Sequence, residues 1–161
     1  MLGIARRAAT GSDFEGDDAG DAGFLVMMNE IIQTRPDVHR GWLEAELDAQ
    51  LFLADTDNAN EVAKMADDQT EGMDRKILWA SLYRDENRVN KLTLDFVFND
   101  KVRNMLNASA EFLAGKKKFG KRTTLRPQAV YDEVARQVLA DRGLKSPLGK
   151  IDGVPLSEYR P

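Results

Sequence analysis

Along most of the chain the apolar residues recur three and four positions apart, the period of a helix with one face turned inward. The pattern is best developed from Thr34 onward. Thr34 is placed to cap a helix and Pro36 suits its first turn. Asp37 follows three residues after the cap, where a carboxylate meets unbonded N–H groups. Val38, Trp42, Ala45, Ala49 and Phe52 succeed one another at spacings of four and three and define the predicted inner face, which Leu43, Leu47 and Leu51 widen. Asp57 is placed to cap a shorter helix over 58–69, with Val62, Met65 and Ala66 inward. Another short helix over 73–83 turns Ile77, Leu78 and Leu82 inward. Asn99 is the predicted cap of a helix that carries Val102, Met105, Leu106, Phe112 and Leu113, with Ser109 as a small residue on the same face, and ends near Gly115. Pro127 is read as opening the last long helix, with Val130, Val134 and Val138 on one face and Gly143 as its C-terminal cap.

Two runs depart from this period. The continuous apolar run 24-FLVMM-28 has the length of a strand buried on both faces. The run 92-LTLDFVF-98 places Leu92, Leu94, Phe96 and Phe98 on one side with a period of two, the signature of a strand or extended segment. The two runs are too far apart to pair locally, so 24–28 requires a sheet that the rest of the chain does not evidently supply. The stretches 84-RDENRVN-90 and 115-GKKKFGKR-122 read as loops. The expected organisation is a connector over 1–22, a helix-rich lobe portion over 23–143 and a three-proline tail over 144–161 lying extended on a surface. The fold class is α/β and helix-rich, with about five helices and two strand-like segments.

Composition narrows the function classes. A chain of 161 residues, 42% hydrophobic and 31% charged, suits one soluble globular domain. It has no cysteine, which excludes a disulfide, a thiolate nucleophile and a zinc–cysteine site. No apolar run approaches the roughly 20 residues of a membrane helix. The net charge of −4 conceals an asymmetry: residues 1–100 hold 10 basic and 21 acidic side chains, residues 101–161 hold 13 and 6. Such a split fits either a basic tail for nucleic acid or helical faces of opposite sign that attract each other.

The candidate chemistry is sparse. Asp13, Glu15 and Asp17 alternate like the first ligands of a calcium loop, but the sixth position is Asp18 where glycine is needed and the twelfth is Phe24 where glutamate is needed. The acidic run is therefore read as a solvated connector. The basic run 115–122 has five positive charges but a single interior phenylalanine, too little for base stacking, and the acidic remainder opposes steering to phosphates. No nucleic-acid partner is expected. His39 is the only histidine, is read as off the main apolar stripe and is expected at the surface. Trp42 and Trp79 are expected in the core. No serine-hydrolase elbow, zinc-protease motif, phosphate loop or dinucleotide fingerprint is present, and no carboxylate pair can be placed in a cleft. The expectation is of no catalytic residue, no metal and no cofactor.

The order of elements nevertheless resembles a known family. The segment 6-RRAATGSDF-14, then 23-GFLVMMNEIIQTRPDVHRGWLEAELDAQLFL-53 with 34-TRPDVHRGWL-43 opening a helix, the short helices in 57-DNANEVAKMADDQTEGMDRKILWASLY-83, the last helix pair and the proline-containing tail are similar to substrate-binding proteins of ABC importers of the nitrate/sulfonate/taurine class. The resemblance covers nearly the whole sequence from about Arg6. It implies the C-terminal portion of a two-lobed periplasmic-binding-protein (type II) fold, since family members are about twice this length. It further implies a small, anionic ligand, a membrane permease as partner and a periplasmic place of work. The opening 1-MLGIARRAAT-10 lacks the apolar core of a secretory signal, so none is expected in this sequence, and in the family the signal lies upstream. The resemblance puts 10-TGSD-13 beside the ligand cleft: Thr10 and Ser12 offer hydroxyls, backbone N–H groups near Gly11 can meet an anion, and Asp13 completes the candidate ligand-binding set. The loop 84–90 is shorter than the corresponding family insert. The competing expectation is a stand-alone, helix-rich protein without catalytic activity, in which 24-FLVMM-28 pairs with another copy.

Overall fold

The computed structural model describes residues 23–83, 93–116 and 122–160. Their order is α1 (Asn29–Thr34), α2 (Pro36–Ala54), α3 (Ala59–Gln69), α4 (Arg75–Leu82), β1 (Thr93–Leu94), α5 (Asp100–Gly115), α6 (Glu133–Asp141) and β2 (Gly149–Lys150). The architecture is helix-rich. The sheet among the described residues has two strands, with Thr93 opposite Lys150 and Leu94 opposite Gly149 in antiparallel register.

The expected strand at 24–28 does not form. Residues 23–28 have no regular structure and none of 24–28 is buried: Leu25 is 59% and Val26 92% exposed. A lone strand leaves its ladder groups unbonded, and no described segment pairs with 24–28. Phe24 instead stacks on Phe98, with ring centroids 5.7 Å apart and planes 3° from parallel.

A helical run then forms over 29–54, broken once. The residue before a proline is pushed out of the helical region, and Arg35 accordingly sits at φ −133°, ψ 62° between α1 and α2. Pro36 begins α2 as expected and Asp37 lies in its first turn. Thr34 does not cap α2. It ends α1, and its Oγ1 donates to the Glu30 carbonyl at 2.7 Å. The Arg35 guanidinium beside Asp37 holds that carboxyl below its ordinary range.

The inner face of α2 is only part of the predicted one: Leu43, Leu47 and Leu51 turn inward as expected, but the stripe through Val38, Trp42, Ala45 and Ala49 does not. Val38 and Trp42 are exposed, Trp42 by 54%, and so are Ala45 and Ala49. The inward stripe runs at intervals of four through His39, Leu43, Leu47 and Leu51: Leu47 is fully buried and His39 is buried with it. The cause is tertiary. Leu47 packs with Val138 and Leu139 of α6, joined by Phe96, Val97, Val134 and Leu144. Burying a side chain of this size stabilises by about 1.5–3 kcal/mol. Two ion pairs flank the contact, Arg40 with Asp141 at 2.7 Å and Arg142 with Asp48. Of the two, only Arg142 with Asp48 joins a base of the basic half to an acid of the acidic half; Arg40 with Asp141 runs the other way, and both are exposed pairs that are screened by salt.

A second core lies between α3, α4 and the tail. Ala59, Ala63, Trp79, Tyr83, Leu94, Ile151 and Val154 are buried together, and Leu148 packs against both cores. Trp79 takes the expected core position. Met65 and Ile77, expected inward, are exposed, because the small Ala59 and Ala63 and the large Trp79 face the contact instead. Asp55, and not Asp57, supplies a side-chain cap, accepting from Asp57 N in the short 3-10 turn Thr56–Asn58 that precedes α3. Asp74 caps α4 by accepting from Lys76 N.

Asn99 caps α5 as expected, its Oδ1 accepting from Val102 N at 2.9 Å. Yet α5 buries no residue, and Phe112 and Leu113 face solvent, with the Lys116 ammonium 5.3 Å from the Phe112 ring centroid. The extended segment keeps only Thr93 and Leu94 as strand, and Leu92 lies outside the described residues. Pro127 opens a 3-10 turn, Pro127–Ala129, and α6 starts later, at Glu133. At the other end of α6, Gly143 adopts φ +66°, Leu144 N donates to Leu139 O and Gly143 N to Ala140 O. That pair of bonds is a Schellman motif, and Leu144 supplies its apolar contact.

The tail lacks helix apart from the 3-10 turn Leu156–Glu158, but it does more than cover a surface. Ile151 and Val154 are buried; Trp79 Nε1 donates to Val154 O at 3.1 Å and Val154 N donates to Tyr83 O at 2.7 Å. Arg160 N and Glu158 O bond the Asn60 amide.

Gly143→Ala should lower the unfolding free energy by about 1–2 kcal/mol in urea denaturation, since a Cβ meets no atom there and only the left-handed backbone is penalised. Tyr83 gives a pH prediction. Burial pushes its phenol up to about 12 from 10.0. The folded chain then keeps a proton that the unfolded chain releases, so stability is intact below pH 10 and falls as pH rises toward about 12. Urea titrations at pH of about 9 and about 11.5 should show this loss, reduced in Tyr83→Phe.

Candidate functional site

A shallow, open hollow with a polar lining lies beside α5. Arg103 and Asn107 are four residues apart and so share a face of that helix. The segment 122–126 returns along them and is fastened by Leu125 N, which donates to Asn107 Oδ1 at 3.0 Å. The following 3-10 turn is closed by Ala129 N donating to Arg126 O at 2.9 Å. An open hollow of about 210 Å³ is left between the two walls. Its polar lining is Arg103, Asn107, Thr124 and Arg126; Leu125, Pro127 and Val130 complete it. No lining residue is acidic.

Arg103 is held from behind. Asp132 is buried, and its Oδ2 accepts from Phe98 N at 3.1 Å, from Arg103 Nη2 at 3.3 Å and from Arg136 Nη2 at 2.7 Å. Arg136 Nη2 also donates to Phe98 O at 3.2 Å. The Arg103 guanidinium carbon lies 5.8 Å from the Phe98 ring centroid. One carboxylate facing two guanidinium groups leaves this junction with an excess positive charge. Arg126 forms no ion pair among the described residues.

The sequence-predicted candidates fare differently. Thr10, Gly11, Ser12 and Asp13 lie outside the described residues, as do the acidic alternation at 13–17, the loop 84–90 and residues 117–121 of the basic run. His39 is not at the surface: it is buried, with its ring centroid 5.7 Å from that of Tyr131. Its spacing of four before Leu43 was the signal for this. Trp42 is not in the core. The apolar pattern of α5 alone does not reveal the grouping of Arg103, Asn107 and Arg126. The signals were the polar pair four residues apart on that helix and the arginines bracketing 122-RTTLR-126.

Among the described residues no group of side chains could hold a metal ion. The hollow presents hydrogen-bond donors and positive charge, with no nucleophile–base pair in its lining. Such a lining can bind an anion.

Asp132→Asn keeps the side chain's size and removes the charge that both arginines face. Unfolding free energy should fall by about 1–3 kcal/mol in urea denaturation, with the far-ultraviolet circular dichroism of the folded chain retained.

No family model, no curated protein and no solved structure matches the chain.

Proposed function

We propose that the chain is the C-terminal portion of the solute-binding component of an ABC-type importer, within a two-lobed type II binding protein that closes on a small anionic solute of the nitrate, sulfonate or taurine kind. The observation that carries this reading is the apolar run Phe24–Met28, five consecutive residues of which none is buried. A contiguous apolar surface of this kind is one made to be covered. In a two-lobed protein such a segment joins a sheet supplied by other parts of the chain. The Arg–Pro–Asp opening of α2 and the order of the short helices agree with the same resemblance. Thr10, Gly11, Ser12 and Asp13 are the proposed ligand-side loop. The partners are the solute and a membrane permease, the place of work is the periplasm, and no cofactor or chemical step is involved.

A second reading is favoured by the outer stripe of α2. Val38 and Trp42 are exposed there on one helical face. A homo-oligomer that pairs this stripe or the run 24–28 between copies would also cover the apolar surface, and would need no ligand.

Light scattering and calorimetry on this chain separate the two. A monomer that binds an apolar dye, with no binding of nitrate or taurine tighter than about 1 mM, is the expected result. Micromolar binding of either solute by this chain alone would overturn the partial-chain reading. A stoichiometric dimer that Trp42→Glu converts to monomer would establish the second reading in its place.

A further inference from the structure

The hollow beside α5 is separate in the sequence from the proposed ligand-side loop, and its chemistry is specific enough to name a ligand class. Its polar lining consists of two guanidinium groups, one hydroxyl and one amide. The amide of Asn107 already uses its oxygen to accept from Leu125 N, which leaves the nitrogen end as a donor. Arg103 spends one N–H on Asp132 and retains the others of its five. Arg126 has no ion partner among the described residues, and Thr124 adds a rotatable hydroxyl. A guanidinium fork matches two oxygens of a phosphate or carboxylate at once, which an ammonium cannot do. The hollow is also small, about 210 Å³, and open on one side. That volume suits one compact group whose remainder extends into solvent.

We propose that Arg103, Asn107, Thr124 and Arg126 form a site for a tetrahedral oxyanion, the phosphate group of a small soluble molecule. Asp132 is the positioning residue: it fixes Arg103 without itself lining the hollow. The ordering cost of the site is already met on two sides, since Arg103 is tethered to Asp132 and the 122–126 wall is tethered to Asn107. The site is independent of the importer reading and stands whether or not that reading does.

The test is calorimetric titration of the chain at low salt with inorganic phosphate and with glycerol 3-phosphate, alongside vesicles containing phosphatidic acid. Saturable binding of a soluble phosphate with a dissociation constant near or below about 1 mM is expected. Arg126→Gln should weaken it by about tenfold, the worth of one charge-assisted pair of hydrogen bonds. Arg35→Gln, which removes an exposed arginine on the α1–α2 junction, should leave it unchanged. Arg126 makes no ion pair among the described residues, so circular dichroism of its variant should match the parent and the loss can be assigned to the site. Absence of saturable binding, an equal loss in both variants, or binding to the vesicles alone would overturn the proposal. Nitrate and taurine are not the probes here, so failure of this site and failure of the importer reading are told apart.

Discussion

The carboxylate of Asp132 is where three otherwise separate stretches of the chain are joined. Phe98 N brings the end of the extended segment to it, Arg103 brings α5 and Arg136 brings the first turns of α6. The junction matters to α5 because that helix buries no residue completely, Val102, Met105 and Leu106 being only half-buried. A polar contact holds a helix in register best when it is charged, directional and shielded from water, and Asp132 is buried. The position of Arg103, and so one wall of the hollow, follows from this single group. Phe98 ties in further, with Phe24 stacked on its ring and the Arg103 guanidinium close by.

Local signals were legible and long-range ones were not. Asn99, Pro36 and Gly143 each act within one turn of their own helix, through a hydrogen bond, a fixed φ or a left-handed φ, so the sequence alone carries the information. The orientation of α2 is different. The helix has two apolar stripes, one through Val38 and Trp42 and one through Leu43, Leu47 and Leu51, and its period is satisfied by either. Only the presence of Val138 and Leu139 on α6 decides between them, nearly a hundred residues away. His39 follows the same logic, carried inward because it heads the winning stripe.

The same reasoning explains the failure at 24–28 and the surprise in the tail. A continuous apolar run says that a segment prefers to be out of water, but not what will cover it. Among the described residues only Phe24, stacked on Phe98, and the half-buried Met27 find partial cover. Conversely, 144–161 is rich in proline and glycine and reads as surface chain, yet Ile151 and Val154 find a slot between α3 and α4. In the sequence the polar candidates stand singly, as a lone histidine or a basic run. The grouping of Arg103, Asn107 and Arg126 exists only once the 122–126 segment has returned to α5.

The closing of the second core by the tail has a consequence for synthesis. Trp79 and Tyr83 are made well before Val154, to whose backbone each is bonded, and the separation from Trp79 is 75 residues. At typical translation speeds of about 5–20 residues per second, the two aromatic rings await their cover for roughly 4–15 s. During that interval α3 and α4 carry a greasy face with no lid. The nascent chain therefore passes through a stage in which its largest buried rings are open to chaperones, and this core cannot close until Val154 has been made.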